Sequence, residues 1–221
     1  MSNATCILML SGGVDSTVLA LESKKTGVGV ASAVFLDYGQ ESAARELHCA
    51  RRTTLATGFA FEPVNISGLK YLFYGVIPSD YHPMMAECKC PDQAISHALV
   101  ITYSILRGID TLLLGTIKDD LTYHPGIKDY LPKMADAMST LHRTKFNIVT
   151  PFIDMTKSDV IARGQKLGAN FAETWACYSG GVAHCGECNG CINRQKAFVA
   201  AGVADTAPIL KGNGVVGPWS G

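Results

Sequence analysis

The sequence predicts an α/β fold, a parallel sheet of about five strands flanked by helices, with a zinc-type knuckle near the C-terminus. Three observations carry that expectation. Short apolar runs alternate with helix-like segments as far as Leu167, the pattern of strands buried on both faces and joined by crossover helices. The first apolar run ends in a glycine-rich turn that opens a helix, and open α/β sheets place ligand sites at that edge. Four cysteines crowd between Cys177 and Cys191 with metal-ligand spacing.

Thr5 to Leu10 is the first strand, stopped by Gly12-Gly13. Asp15 to Lys25 carries a helical pattern that ends ahead of Gly27. Val28 to Leu36 is the second strand, followed by the turn Asp37-Tyr38-Gly39-Gln40. Glu41 to Thr57 suits a helix closed by Gly58, and Phe61 to Ile66 a third strand. Residues 67–91 hold Gly68, Gly75, Pro78, Pro83 and Pro91 without a sustained period and read as a long excursion or lid. Gln93 to Leu106 returns to helix, and Thr111 to Gly115 is the fourth strand. Asp129 to His142 is helical, Phe146 to Thr150 is the fifth strand, and Ser158 to Leu167 is another helix. The tail from Pro208 is extended.

Composition narrows the function classes. Hydrophobic residues make up 48% of the 221, enough for a sizeable core and too many for a disordered chain. Nineteen basic residues cancel nineteen acidic ones, and charged residues are only 17%, so no electrostatic footprint marks nucleic acid as a partner. No apolar run approaches the roughly 20 residues that cross a bilayer. Met1 to Ala4 lacks the basic and apolar stretches of a secretory signal. The expectation is a cytoplasmic protein with reduced thiols.

Ser11-Gly12-Gly13-Val14-Asp15-Ser16-Thr17 stands where the first strand ends and the first helix begins. Two glycines let the backbone approach an anion, and the amides from Gly12 to Ser16 gather at a helix N-terminus. Ser11, Ser16 and Thr17 add hydroxyls. The segment suits phosphate or pyrophosphate, with a plain N-cap at Asp15 or Ser16 as the bland alternative. It is neither a Walker A loop nor a Gly-x-Gly-x-x-Gly fingerprint.

Cys177, Cys185, Cys188 and Cys191 follow a C-x7-C-x2-C-x2-C spacing. Four thiolates suit a tetrahedral Zn²⁺ closed to water, hence structural. An iron–sulfur cluster is the rival. His184, beside Cys185, is a fifth candidate ligand but reads rather as a solvated loop residue, and Cys6, Cys49, Cys88 and Cys90 read as packing or loop cysteines.

The heptapeptide resembles the Ser-Gly-Gly-x-Asp-Ser loop of the ATP-pyrophosphatase (PP-loop, HUP-like) superfamily. With Asp37-Tyr38-Gly39-Gln40, Gly115, Pro151-Phe152, Lys157, Asp159, Cys177-Tyr178, the three later cysteines and Arg194, the chain resembles the QueC family, 7-cyano-7-deazaguanine synthases. That resemblance implies ATP, Mg²⁺ and a structural Zn²⁺ as cofactors. It implies adenylation of the carboxylate of 7-carboxy-7-deazaguanine, capture of an amine, and release of AMP and pyrophosphate. Ser11, Gly12, Gly13, Val14, Ser16 and Thr17 would hold the nucleotide, with Phe35, Leu36 and Gly115 bordering the adenine. Asp15, Ser16 and Lys157 would be catalytic, Asp15 lying near the magnesium. Residues 1–170 would form the ATP-binding domain and 171–221 the zinc-binding four-cysteine region and tail, with a homodimer expected.

The resemblance breaks at two stretches. Where the family typically carries Pro-Gly-Arg-Asn, this chain has Pro91-Asp92-Gln93-Ala94, and where it carries Tyr-Pro-Asp-Cys, His124-Pro125-Gly126-Ile127 stands. The expected reading is therefore a QueC-like ligase whose acceptor is an amine bulkier than ammonia. The ordinary nitrile-forming synthase is the alternative. A second alternative is a paralogue of anti-phage systems, such as type IV CBASS, that modifies a protein amine. A knuckle module with a vestigial nucleotide site, or a tRNA thiolase, agrees less well with the intact loop and the neutral charge.

Overall fold

The computed structural model describes residues 6–69, 93–210 and 216–218. Five strands, β1 (Cys6–Met9), β2 (Val30–Asp37), β3 (Phe61–Asn65), β4 (Thr111–Leu113) and β5 (Asn147–Val149), form one sheet in the order β3-β2-β1-β4-β5. Every pairing is parallel. Helices α1 (Val14–Thr26), α2 (Ala43–Thr57), α3 (Gln93–Leu106), α4 (Ile127–His142) and α5 (Lys157–Lys166) flank it. The order runs outward from β1 through β2 to β3, then returns to β4 on the other side, so β1 and β4 flank the switch point. A crevice opens there beyond the strands' carboxyl ends.

The apolar runs behave as doubly buried strands. From β1 and its end, Cys6, Leu8 and Leu10 enter one core layer, and Ile7 enters the other. From β2, Ala33 and Phe35 face the first layer while Val34 and Leu36 face the second. The first layer packs against α1 and α5 through Val14, Val18, Val160 and Ile161. The second packs against α3 and α4 through Val100, Ile101, Leu131 and Met138. Side chains alternate across the pleat, which requires apolar residues at successive positions.

Beyond α5 the structure adds elements that the apolar pattern did not announce. Helix α6 (Asn189–Ala201) follows the cysteines, and β6 (Pro208–Leu210) pairs antiparallel with β7 (Val216–Pro218) in the extended tail. The inward face of α6 is Cys191, Arg194, Ala197 and Phe198, so a thiol and a guanidinium occupy positions that a periodicity argument reserves for apolar residues. Of the excursion at 67–91, Ser67–Leu69 is a single 3₁₀ turn. The remainder, with Cys88, Cys90 and Pro91, lies outside the described residues. Cys6 and Cys49 are buried packing residues, as expected. Among the described residues no helix is long and apolar enough to cross a membrane.

Candidate active site and metal centre

The turn after β1 has a shape that requires glycine. Gly12 sits at φ +77°, and a Cβ there would fall 2.4 Å from the Glu46 carbonyl oxygen of α2. Gly13 is the extended N-cap of α1 and accepts the Thr17 amide at 3.1 Å. The Gly13 amide donates to Ser11 Oγ at 3.3 Å, and Ser11 Oγ lies 3.1 Å from Ser16 Oγ. Gly115, just past β4, closes on the start of α1, where its Cβ would meet the Ser16 amide nitrogen at 3.1 Å. Thr17 is turned away, its hydroxyl 3.1 Å from that of Thr53 inside the core.

Two cavities meet at this turn. The first, about 330 Å³, is lined by Leu10, Ser11, Phe35, Leu36, Gly115 and Gln93, with His97 of α3 at its side. The second, about 520 Å³, lies between Gly13, Val14 and Asp15 at the start of α1 and Thr156, Lys157 and Ser158 at the start of α5. Its far wall comes from the cysteine region, through Trp175, Tyr178, Asn193 and Lys196. Two helix N-termini thus face one cleft, where their amides and dipoles favour an anion.

Asp15 and Asp120 line both cavities. Lys157 Nζ donates to Asp15 Oδ2 at 2.7 Å, while Asp15 Oδ1 is buried with no hydrogen-bond partner. Burial works against the Lys157 ammonium, but the charge and hydrogen bond of Asp15, with Asp120 behind it, outweigh that and raise its pKa. Asp120 accepts the Ile117 amide at 2.9 Å. Burial pushes its carboxyl up to about 6, against the opposing pull of that amide and with the help of the Asp15 charge. Asp119 accepts the Lys157 amide at 2.8 Å and so braces the start of α5.

The Asp-Tyr-Gly-Gln turn shapes the opposite rim. Asp37 Oδ1 accepts the Gly39 amide at 2.9 Å, and Gln40 Oε1 accepts the Tyr38 amide at 3.0 Å. Gln40 Nε2 donates to Glu46 at 2.7 Å, and Tyr38 is carried to the first cavity. Sequence reasoning passed over Asp119, Asp120 and Glu46. The first two were findable as an acidic pair just beyond a strand's carboxyl end, whereas Glu46 is an ordinary helix residue until α2 packs on the loop.

The four knuckle cysteines converge, with all four Sγ atoms within 4.8 Å of one another. Cys185 Sγ is 3.8 Å from Cys191 Sγ, and Cys188 Sγ is 4.0 Å from Cys177 Sγ. Bonds of about 2.3 Å in a tetrahedron place sulfurs roughly 3.8 Å apart. The set therefore fits one tetrahedral ion, while a cubane cluster needs its thiolates spread around a cage of irons. Backbone amides of Cys185 and Cys188 point at Cys177 Sγ and Cys185 Sγ, each at 3.4 Å. A hydrogen bond from Cys191, with others from Ser179 and the Cys185 amide, draws the Cys177 thiol below the usual thiol range against the opposing effect of burial.

His184 is a correction to the expectation of a solvated loop residue: it is fully buried. Its Nε2 accepts the Ala176 amide at 3.2 Å, Nδ1 lies 3.2 Å from the Pro208 carbonyl oxygen, and the ring packs 4.3 Å from Trp175. Both ring nitrogens find backbone partners, which removes the need for water, and burial holds its pKa down to about 4. Arg194, also fully buried, pairs with Asp205 at 2.6 and 2.8 Å and donates to the Thr174 and Phe171 carbonyls. It is a staple of the fold, away from both cavities.

Comparison with known proteins agrees with this geometry. The family model for queuosine biosynthesis protein QueC matches residues 5–202. A 7-cyano-7-deazaguanine synthase of Caldicellulosiruptor bescii is 30% identical over 210 residues, 90% of this chain and 94% of that protein. The protein of the same name from Methanoregula boonei is 31% identical over 213 residues, 90% of this chain and 96% of its own. Among solved structures, NMN synthetase from Francisella tularensis superposes with a TM-score of 0.54 at 15% identity, over 90% of this chain and 78% of that one. That last likeness is one of fold alone.

Proposed function

The chain belongs to the QueC family of ATP-dependent enzymes, and on that footing we propose that it activates the carboxylate of 7-carboxy-7-deazaguanine with ATP and delivers the acyl group to an amine. The observation that carries this reading is the Asp15–Lys157 pair, set where two helix N-termini face one cleft beside a largely apolar cavity. The adenine belongs in that cavity against Phe35, Leu36 and Gly115, and the triphosphate over Ser11, Gly13, Val14 and Ser16, with Gly12 shaping the turn beneath it and Thr17, expected to add a hydroxyl there, bonded to Thr53 in the core instead. A substrate carboxylate oxygen attacks the α-phosphorus, the α–β bond breaks, and pyrophosphate leaves with the electron pair. The amine then attacks the acyl carbon and loses a proton as AMP departs.

This chemistry asks for positioning and charge neutralisation rather than an activated side chain. Lys157, Ser16 and the loop amides stabilise charge on the departing pyrophosphate. The buried, unpartnered Asp15 Oδ1 is the atom fit to hold Mg²⁺, which when bound neutralises phosphate charge. Cys177, Cys185, Cys188 and Cys191 would hold Zn²⁺ as a structural ion, their four sulfurs leaving no position for water.

The relatives' name favours ammonia as the amine and the nitrile as the product, through a second activation of the amide. A specific observation supports a second reading with a bulkier amine, a protein amine among them. Gln93 lines the first cavity at the position where the resemblance expects arginine. A neutral amide in place of a cationic fork suits a different nucleophile, a larger amine among them. Incubation with 7-carboxy-7-deazaguanine, ATP, Mg²⁺ and ammonium, followed by mass spectrometry, should yield AMP, pyrophosphate and the nitrile. AMP without nitrile, with an amide formed when a primary amine is supplied, selects the second reading. Asp15→Asn should lower AMP formation by about 100-fold, and a wild-type rate from that variant overturns the assignment.

A further inference from the structure

The cysteine centre and the phosphate loop are joined through one residue. The Trp175 amide donates to the Gly12 carbonyl at 2.9 Å, and the Trp175 carbonyl oxygen lies 3.6 Å from where a Cβ on Gly13 would stand. On its other side the indole is buried in a cluster with Cys49, Cys177 and Cys191, and Nε1 donates to the Cys177 carbonyl at 2.7 Å. The backbone of Trp175 thus holds the loop while its side chain is held by the ligands. Gly12 itself is pressed against Glu46, Cys49 and Ala50 of α2, and Trp175 packs on the same helix through Cys49 and Arg45, so the turn, α2 and Trp175 are in mutual contact.

The start of α6 transmits position in the same way. A Cβ on Gly190 would fall 2.1 Å from the Ala176 carbonyl oxygen, so the first turn of α6 cannot shift without moving the segment after Trp175. That turn lies between Cys188 and Cys191, two of the four ligands. The amides of Cys185 and Cys188 bond to ligand sulfurs, and without an ion those contacts lose the charge that makes them strong.

We propose that the metal held by Cys177, Cys185, Cys188 and Cys191 sets the phosphate loop through Trp175, so that metal loading and nucleotide binding strengthen each other. The inference rests on the ATP reading and assigns Trp175 as a positioning residue. Coupling between two binding sites is reciprocal, and factors of about 5 to 150 are usual.

The test is a cycle of two perturbations read with a non-cleavable nucleotide, α,β-methylene-ATP, and with zinc or cobalt as the ion. Loaded wild-type protein should bind the nucleotide about tenfold more tightly than stripped protein. Saturating nucleotide should slow metal transfer to a chromophoric chelator by a similar factor, a measurement that does not require a folded stripped form. Trp175→Ala should keep the cobalt–thiolate spectrum yet bind the nucleotide weakly, with metal release indifferent to it. If that variant does not fold, Trp175→Phe, which lacks the donor to the Cys177 carbonyl, is measured the same way. Full coupling in Trp175→Phe overturns the role of Trp175. Wild-type metal release unchanged by bound nucleotide overturns this inference alone. Loaded wild-type protein that does not bind the nucleotide overturns the ATP reading and this inference with it.

Discussion

The sheet and the cysteine region are built by different physics. Around β1, β2 and β4 the buried residues are apolar and interchangeable in kind apart from Ser32, with Ile7, Leu8, Ala33, Val34 and Leu112 all at 0% exposure. Between Phe171 and Leu210 the buried residues include ligating or polar groups, among them Cys177, His184, Cys191, Arg194 and Asp205. Apolar burial is non-directional and tolerant. Ligand bonds and buried hydrogen bonds are directional, so they fix where a wall of the cleft stands, and they fail as a unit when one partner goes. The sheet supplies a scaffold, and the cysteine region supplies an address.

Three experiments break or sharpen this contrast, taken from the largest expected effect to the smallest. Metal removal comes first, because structural zinc contributes on the order of 10 kcal/mol to small metal-bound folds. Hydrogen exchange after chelation should lose protection over residues 174–210 while amides of β1, β2 and β4 stay protected. Simultaneous loss in the sheet would show the two regions to be one cooperative unit.

Arg194→Ala comes next. It leaves Asp205 buried without its cation and strips the Thr174 and Phe171 carbonyls of a donor. Breaking a buried pair of this kind costs about 3–5 kcal/mol, readable by urea denaturation. Arg194→Leu with Asp205→Leu should recover part of that loss, because the stranded charge is then gone. An effect under about 1 kcal/mol from Arg194→Ala would remove the staple from the account.

Asp120→Asn is the subtlest and runs in the opposite direction. Burial raises the Asp120 carboxyl to about 6 in the fold, above the ordinary value near 3.9. The folded state therefore binds this proton more tightly than the unfolded state does. Its stabilising contribution is complete below about pH 4 and is lost as pH rises through about 6. Asparagine still accepts the Ile117 amide and escapes ionisation. The variant should match wild type at low pH and gain about 1–2 kcal/mol at pH 8, seen as a widening Tm difference. A difference that stays constant with pH would contradict the burial argument.

How far the sequence could be read follows the same divide. The five strands and the five helices beside them were legible because doubly buried strands need contiguous apolar residues, and α1 and α2 stop at Gly27 and Gly58 with left-handed φ of 75° and 76°. Strand ends shortened, as at β4, where the run to Gly115 keeps only Thr111–Leu113 in the ladder. Helix α6 was not legible, since its inward face carries Cys191 and Arg194. The burial of His184 was hidden too, because its partners Ala176 and Pro208 lie 8 and 24 residues away in the chain.

By itself the sequence determined the α/β class, the glycine turn at a strand–helix junction and the cysteine quartet, because each is a property of neighbouring residues and their spacing. Only the tertiary structure decided that the quartet's sulfurs converge to within 4.8 Å. It also placed Asp15 against Lys157, 142 positions apart, and the Trp175 amide against the Gly12 carbonyl. Those arrangements depend on strand order and on polar groups finding partners far along the chain, and no local period or spacing carries that information.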